Sequence, residues 1–364
     1  MRDTAHSTNL DLLRSVAVAC VFFFHLRCTF GSQRLGGVDL QPLGIAGVLL
    51  FFVHTSLVLL LSMERTRAGA WPFYVRRFFR IYPLSVACVL LAILLHQPAS
   101  PWFPWVPVTA GQAAANLLLI QNLTGHWSIL GPLWSLPYEV QMYLLLPVIF
   151  ALVVRRFRGG AVAALAGIAV TAAILEKRLT GNAHLFHYAP CFMGGVAAFW
   201  TLRRRRPFLR AAWWPATIAG GVTIFCALES GRVNDPGVTP FVEWTFCLLV
   251  GLLAPRFAEI GSRAVGRAAH FIAQYSYGIY LTHPLTLWIA FVRLGAWPLA
   301  LRWAVFVPLA VAAPVAAYHA IEEPLIRVGR RLADRAGEAA AARGQPQRTS
   351  ALTAAYTPAQ GMRM

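Results

Sequence analysis

Ten apolar segments dictate what this chain of 364 residues can fold into. They run over about 9–30, 41–62, 81–96, 134–154, 160–176, 186–202, 212–228, 239–255, 271–291 and 299–322. A helix needs about 20 apolar residues to cross the hydrocarbon core of a bilayer, and the longer segments meet that length. The chain is 58% hydrophobic and only 13% charged, whereas soluble domains are about half apolar and a quarter charged. The expected fold is therefore all-α and polytopic, with about ten transmembrane helices.

The charges between the segments set an expected orientation. The net charge of +18 comes from arginines in short runs between apolar segments, not from one basic face, which excludes a nucleic-acid binder. With the N-terminus in the cytoplasm and the ten segments alternating, 25 of the 32 Lys and Arg fall inside and 7 outside. That asymmetry places both termini in the cytoplasm. Counting residues 108–124, VTAGQAAANLLLIQNLT, as an eleventh span would destroy it, so a short re-entrant or surface helix is expected there. The sequence divides into an integral-membrane domain, 1–328, and a basic extension, 329–364, expected to be disordered and drawn to anionic lipid. The first segment has acidic and basic residues close to its apolar run and no small-residue cleavage site after it, so it reads as an uncleaved span. The six cysteines show no CxxC spacing and read as small buried hydrophobes, with no metal site implied.

Ionisable groups inside spans cost roughly 2.5–3.5 kcal/mol each on insertion scales, so those present are candidates for function. The first segment carries Arg14 and His25, eleven residues apart. At about 100° per residue they fall within roughly 20° of one another on a helix face, about 16 Å apart along the axis. In FYVRRFFRIYP, residues 73–83, Arg77 and Arg80 share a helix face at a depth that suits phosphate recognition. In LWSLPYEVQMYLLLP, residues 133–147, Glu139 is a carboxylate one turn into a span, with Tyr143 at i+4. It should have a partner: Arg80, His25 or a substrate hydroxyl. SYGIYLTHPL, residues 276–285, sets His283 beside Pro284, which removes a helical N–H. IEEPLIR, residues 321–327, puts Glu322 and Glu323 at the last span's end, where a solvated position is at least as expected as an ion pair. Trp102 and Trp105 in QPASPWFPWVP read as an interfacial aromatic belt or a stacking surface for sugar. His54 in FFVHTSLVL has no assigned role.

Taken in order, LDLLRSVAVACVFFFH, FYVRRFFRIYP, LWSLPYEVQMYLLLP, SYGIYLTHP and IEEP resemble the membrane-bound acyltransferase family 3 up to about residue 328. The resemblance implies a bacterial inner-membrane protein of ten spans with both ends inside. It also implies transfer of an acyl group, often acetyl, from cytoplasmic acyl-CoA to a hydroxyl on a glycan, a lipid-linked sugar or a small molecule. By position, His25 is the expected catalytic residue, with Glu139 orienting it or pairing with Arg80. Arg14, Arg77 and Arg80 would meet the phosphates of acyl-CoA, and Tyr143, His283, Trp102 and Trp105 are supporting or acceptor-side candidates. His25 could act as general base or as acyl carrier, and no metal is required. FFVHTS departs from the family pattern FF-x-x-S-G, which leaves that turn's role open. A transporter or flippase for a lipid-linked sugar would use the same charges along a path, but its inverted repeat is not visible.

Overall fold

In the computed structural model, described over residues 7–32, 34–66, 69–100, 104–156, 159–180, 185–204, 206–230 and 239–344, all ten apolar segments are helical. The helices are α1 (Thr8–Thr29), α2 (Gln41–Thr66), α3 (Ala70–Leu94), α4 (Ala110–Leu117), α5 (Gln121–Thr124), α6 (Leu136–Arg156) and α7 (Gly159–Thr180). There follow α8 (Ala189–Arg204), α9 (Trp213–Glu229), α10 (Thr239–Leu253), α11 (Arg263–Leu287), α12 (Leu299–Ala317) and α13 (Glu323–Gly344). Among the described residues the strands are β1 (Arg34–Leu35) and β2 (Val38–Asp39), an antiparallel hairpin. Its turn is Gly36–Gly37, both at positive φ, as a two-residue hairpin loop demands.

Six stretches are long and apolar enough to cross a membrane by length and composition. They are α1, α2, α3, Gly131–Val153, α7 and Leu299–Ala336. The difference from the ten expected segments lies in length and polar content, not in helicity. α8, α9 and α10 have 16, 17 and 15 residues, below the roughly 20 of a full span. α11 is long enough but too polar, with Arg263, Arg267 and His270 in its first two turns and Gln274, Ser276, Thr282 and His283 further along. Residues 108–124 form the two short helices α4 and α5 and no span, and Thr109 caps α4 by accepting from the Gln112 amide at 3.2 Å.

Two elements extend beyond the sequence reading. α3 begins at Ala70, about three turns before its apolar run, so the arginines of FYVRRFFRIYP ride on a continuous helix with Pro83 inside it. Of the extension 329–364, expected to be disordered, the part to Gly344 is helical and packs Gly329 against Phe79 of α3, and residues 345–364 lie outside the described residues.

The core is built around α2. Of its most apolar window 72% is buried, against 6% for α7 at the rim. Small residues let its neighbours approach backbone to backbone. A Cβ on Gly47 would lie 2.5 Å from the Ala17 carbonyl of α1, and one on Gly195 of α8 would strike Ser56 Oγ and the Val53 carbonyl. Ser56 uses that approach to donate to the Phe192 carbonyl at 2.9 Å. The start of α1 is tied down from outside the helix. Asn9 donates to the Ala258 carbonyl at 2.9 Å, and its own carbonyl accepts from Trp214 Nε1 at 3.1 Å. α1 is thus held at its N-terminal end, and α11 lies along its length.

Candidate active site

α1 and α11 meet at two rungs. Near one end Arg14 Nε donates to Ser276 Oγ at 2.5 Å. Eleven residues on, the His25 and His283 rings lie with centroids 4.9 Å apart. The shared helix face expected of Arg14 and His25 is present, and it faces α11.

The Arg14 rung borders a narrow inner cavity of about 80 Å³. His54, Thr55, Arg77, Arg80, Glu139, Tyr143 and Ser276 also line it. Of the protein partners expected for Glu139, neither Arg80 nor His25 is hydrogen-bonded to it. Its Oε1 accepts from Thr55 Oγ1 at 2.9 Å, and Arg80 is bound elsewhere. Arg80 Nη1 lies 2.5 Å from Glu322 Oε2, and its guanidinium sits 5.5 Å from the Tyr277 ring centre. Glu322 is 1% exposed, so of its two readings the ion pair holds and the solvated helix end does not. The cause is a single π-helical turn, Tyr318–Glu322, between α12 and α13, which turns Glu322 inward. Glu323 points outward instead, to His319 Nδ1 and Arg327.

On one side the inner cavity adjoins a vestibule of about 560 Å³. Arg14, His54, Arg77 and Arg80 line both spaces. The vestibule adds Arg65, Arg76, Arg327 and Arg330, with Asp11 and Glu323 as its carboxylates. Arg77 Nε and His54 Nδ1 are buried there without hydrogen-bond partners. Unsatisfied buried polar nitrogens at a cavity wall are a position a ligand can complete.

On the other side Val48 and Tyr280 separate the inner cavity from an outer chamber of about 370 Å³. Tyr280 is fixed there, its hydroxyl 2.7 Å from both the Pro132 carbonyl and Ser135 Oγ. The chamber is lined by His25, Gln41, Trp134 and Tyr188, and no Lys, Arg, Asp or Glu is among its lining residues. His25 Nδ1 lies 2.9 Å from the Val21 carbonyl. A carbonyl can only accept, so Nδ1 carries the proton and Nε2 presents its lone pair. Gly131 lies beside that nitrogen: a Cβ there would touch it at 3.7 Å and crowd the Ala99 carbonyl at 3.0 Å.

Of the expected site residues, the fold therefore brings Arg14, Arg77, Arg80, Glu139 and Tyr143 to the inner cavity and His25 to the outer chamber. His283 stands behind His25. Trp105 packs edge-on against His96, ring centres 4.3 Å apart, and lines none of these cavities. Trp102 lies outside the described residues. Sequence reasoning missed Thr55, Ser276, Trp134 and Tyr188. Three of them sat inside quoted motifs: Thr55 lies in FFVHTSLVL, Trp134 opens the tryptophan-serine-leucine run, and Ser276 opens SYGIY. The departure FFVHTS resolves into three tasks. Thr55 holds Glu139, Ser56 packs on α8, and His54 faces the cavities.

Comparison with known proteins adds a family. The family model described as an acyltransferase domain matches residues 7–319. Over 154 residues the chain is 32% identical to Acyltransferase MdmB of Streptomyces mycarofaciens, covering 40% of this chain and 39% of that protein. Over 355 residues it is 25% identical to Nodulation protein 10 of Rhizobium leguminosarum bv. viciae, covering 89% of this chain and 95% of that one. No solved structure matches.

Proposed function

Because this chain belongs to the acyltransferase domain family, we propose that it is an integral-membrane O-acyltransferase that draws on cytoplasmic acyl-CoA and acylates a hydroxyl of a cell-surface or exported glycan. The observation that carries this reading is the succession of spaces: an arginine-lined vestibule, a narrow inner cavity, and an uncharged chamber holding an imidazole. The chain would sit in the bacterial inner membrane with ten spans and both termini in the cytoplasm. The vestibule supports that orientation, because Arg65, Arg76, Arg77, Arg80, Arg327 and Arg330 all fall on the side that the charge asymmetry assigns to the cytoplasm.

The phosphates of acyl-CoA suit the vestibule. Guanidinium groups bind phosphate oxygens through paired N–H donors, and Arg77 has one buried N–H still unused. The pantetheine arm would run through the inner cavity past Arg14 toward His25, about 16 Å further along α1. The small volume of the inner cavity favours a short acyl group, acetyl above all. Trp134 and Tyr188 offer the aromatic faces on which a sugar ring stacks, and the chamber's lack of charge suits a neutral hydroxyl acceptor.

His25 then acts as general base. Its Nε2 takes the proton of the acceptor hydroxyl as that oxygen attacks the thioester carbonyl. The carbon–sulfur bond breaks as the tetrahedral intermediate collapses, and the proton passes to the leaving sulfur to give free CoA and the ester. Glu139 and Thr55 shape the passage between the donor and acceptor sides. No metal enters the scheme, and the partners are the acceptor glycan and membrane lipid.

The test uses purified protein in lipid nanodiscs with radiolabelled acetyl-CoA and the glycan extracted from a deletion strain. Label should move to glycan with one free thiol released per acyl group, and His25→Ala should do neither while still folding. Transfer by His25→Ala at the wild-type rate would refute the assignment.

A further inference from the structure

His283 is 2% exposed, and its Nε2 is buried without a hydrogen-bond partner. Its Nδ1 lies 3.0 Å from the Ile279 carbonyl, so Nδ1 carries the proton and Nε2 the lone pair. His25 is arranged the same way on its own helix, against Val21. Two neutral imidazoles thus stand side by side, each with its donor spent on its own backbone. A buried acceptor left empty costs about 1–3 kcal/mol, and such groups in native proteins call for an explanation.

The geometry supplies one. An imidazolium Nε2–H bonded to an imidazole Nε2 sets the two ring centres roughly 5 Å apart, given an N···N distance of about 2.9 Å. The ring centres stand 4.9 Å apart with the rings tilted by 58°, and no hydrogen bond joins His283 Nε2 to His25 in the resting arrangement. We propose that His283 is a positioning residue for acyl transfer, whose Nε2 receives a hydrogen bond from His25 once His25 has taken the acceptor's proton. This rests on the reading of His25 as general base. The proton leaves the acceptor hydroxyl for His25 Nε2, and the resulting N–H is shared between the acceptor oxygen and His283 Nε2 in a three-centre hydrogen bond while the ester bond forms. It then moves to the departing sulfur as the carbon–sulfur bond breaks. No further reactant is needed.

No other charged group competes for the role. Phe22 faces the His283 ring from α1, with centres 5.9 Å apart, and Tyr280 lies along α11 with its hydroxyl already bonded. Among the described residues that line the two spaces beside His25, no carboxylate, guanidinium or ammonium occurs. His25 is thus the titratable group His283 meets, and His283 the one that can favour protonated His25.

Two substitutions separate this role from packing. The amide nitrogen of His283→Asn replaces Nδ1–H and leaves nothing at the Nε2 position. His283→Gln places a carbonyl oxygen at the Nε2 position and restores an acceptor. The readout is carbethoxylation of His25 by diethyl pyrocarbonate, which attacks only the neutral imidazole, followed across pH by peptide mass spectrometry. His283→Asn should lower the midpoint for His25 by about one pH unit, because the charged form loses its hydrogen bond. His283→Gln should keep the midpoint near wild type. In acyl transfer, His283→Asn should lower kcat on the order of tenfold with both KM values unchanged, and His283→Gln should recover most of it. If His283→Asn does not fold, His283→Phe takes its place with the same expected shift. An unchanged midpoint, or Asn and Gln behaving alike, overturns the proposal. The modification assay needs neither acyl-CoA nor acceptor. A shifted midpoint in protein that transfers no acyl group would therefore count against the enzymatic reading and leave the histidine pair standing.

Discussion

Replacing Arg80 by alanine should do two separable things. The guanidinium lies 2.5 Å from the carboxylate of Glu322, with side chains 19% and 1% exposed. Removing one partner of a buried pair leaves the other charge uncompensated, at a cost of about 3–5 kcal/mol, whereas removing both together is often near neutral. Arg80→Ala should thus destabilise the protein by about that amount and also lose one phosphate contact of the donor site. The double variant Arg80→Ala/Glu322→Gln should regain most of the stability and none of the donor affinity. Neutral glutamine needs no counter-charge, but it cannot replace a cation against phosphate. Stability would be followed by reversible unfolding in mixed micelles and donor affinity by equilibrium binding of acetyl-CoA. If Arg80→Ala is as stable as wild type, the buried pair is not the structural tie described here. If the double variant binds acetyl-CoA as well as wild type does, Arg80 has no part in donor recognition.

Other outcomes follow from neighbouring contacts. Gly131→Ala puts a methyl group 3.7 Å from His25 Nε2 and 3.0 Å from the Ala99 carbonyl. It should cut acyl transfer by roughly a hundredfold, the scale of a misplacement of about 1 Å, while acetyl-CoA binding stays unchanged. Gly195→Leu forces its side chain into Ser56 and the α2 backbone, and should prevent folding, seen as loss of the detergent-soluble monodisperse protein. Glu139→Gln keeps an acceptor for Thr55 Oγ1 and removes the charge. Stability should change by less than about 1 kcal/mol, with any larger effect appearing in turnover.

The helical segments were legible because apolar length is a property of the chain alone, and all ten are helices in the fold. The face shared by Arg14 and His25 was legible for the same reason: helical geometry relates residues on one element without reference to another. Partners across helices were not. Glu139 and Arg80 lie on adjacent helices with opposite charge, and nothing in sequence spacing shows that Thr55 and Glu322 reach them first. The inward turn of Glu322 depends on one π-helical turn, which adds a residue to the repeat and changes which side chain faces the core. The rings of Trp134 and Tyr188 meet at 5.4 Å, tilted by 49°, although 54 positions separate them, a meeting that only the packing of the chain before α8 against the chain before α6 brings about. The extension after residue 328 looked disordered because its composition is alanine, arginine and glycine. It is helical to Gly344, and part of its support comes from α3 through Gly329 and Phe79.

The measurement that bears most directly on the central claim is mass spectrometry of surface glycans from wild-type, deletion and His25→Ala strains. The account predicts an acyl mass on the wild-type glycan that is missing from both other strains, with the His25→Ala protein present in the membrane at the wild-type level. An acyl mass retained in the His25→Ala strain but lost in the deletion strain would contradict it.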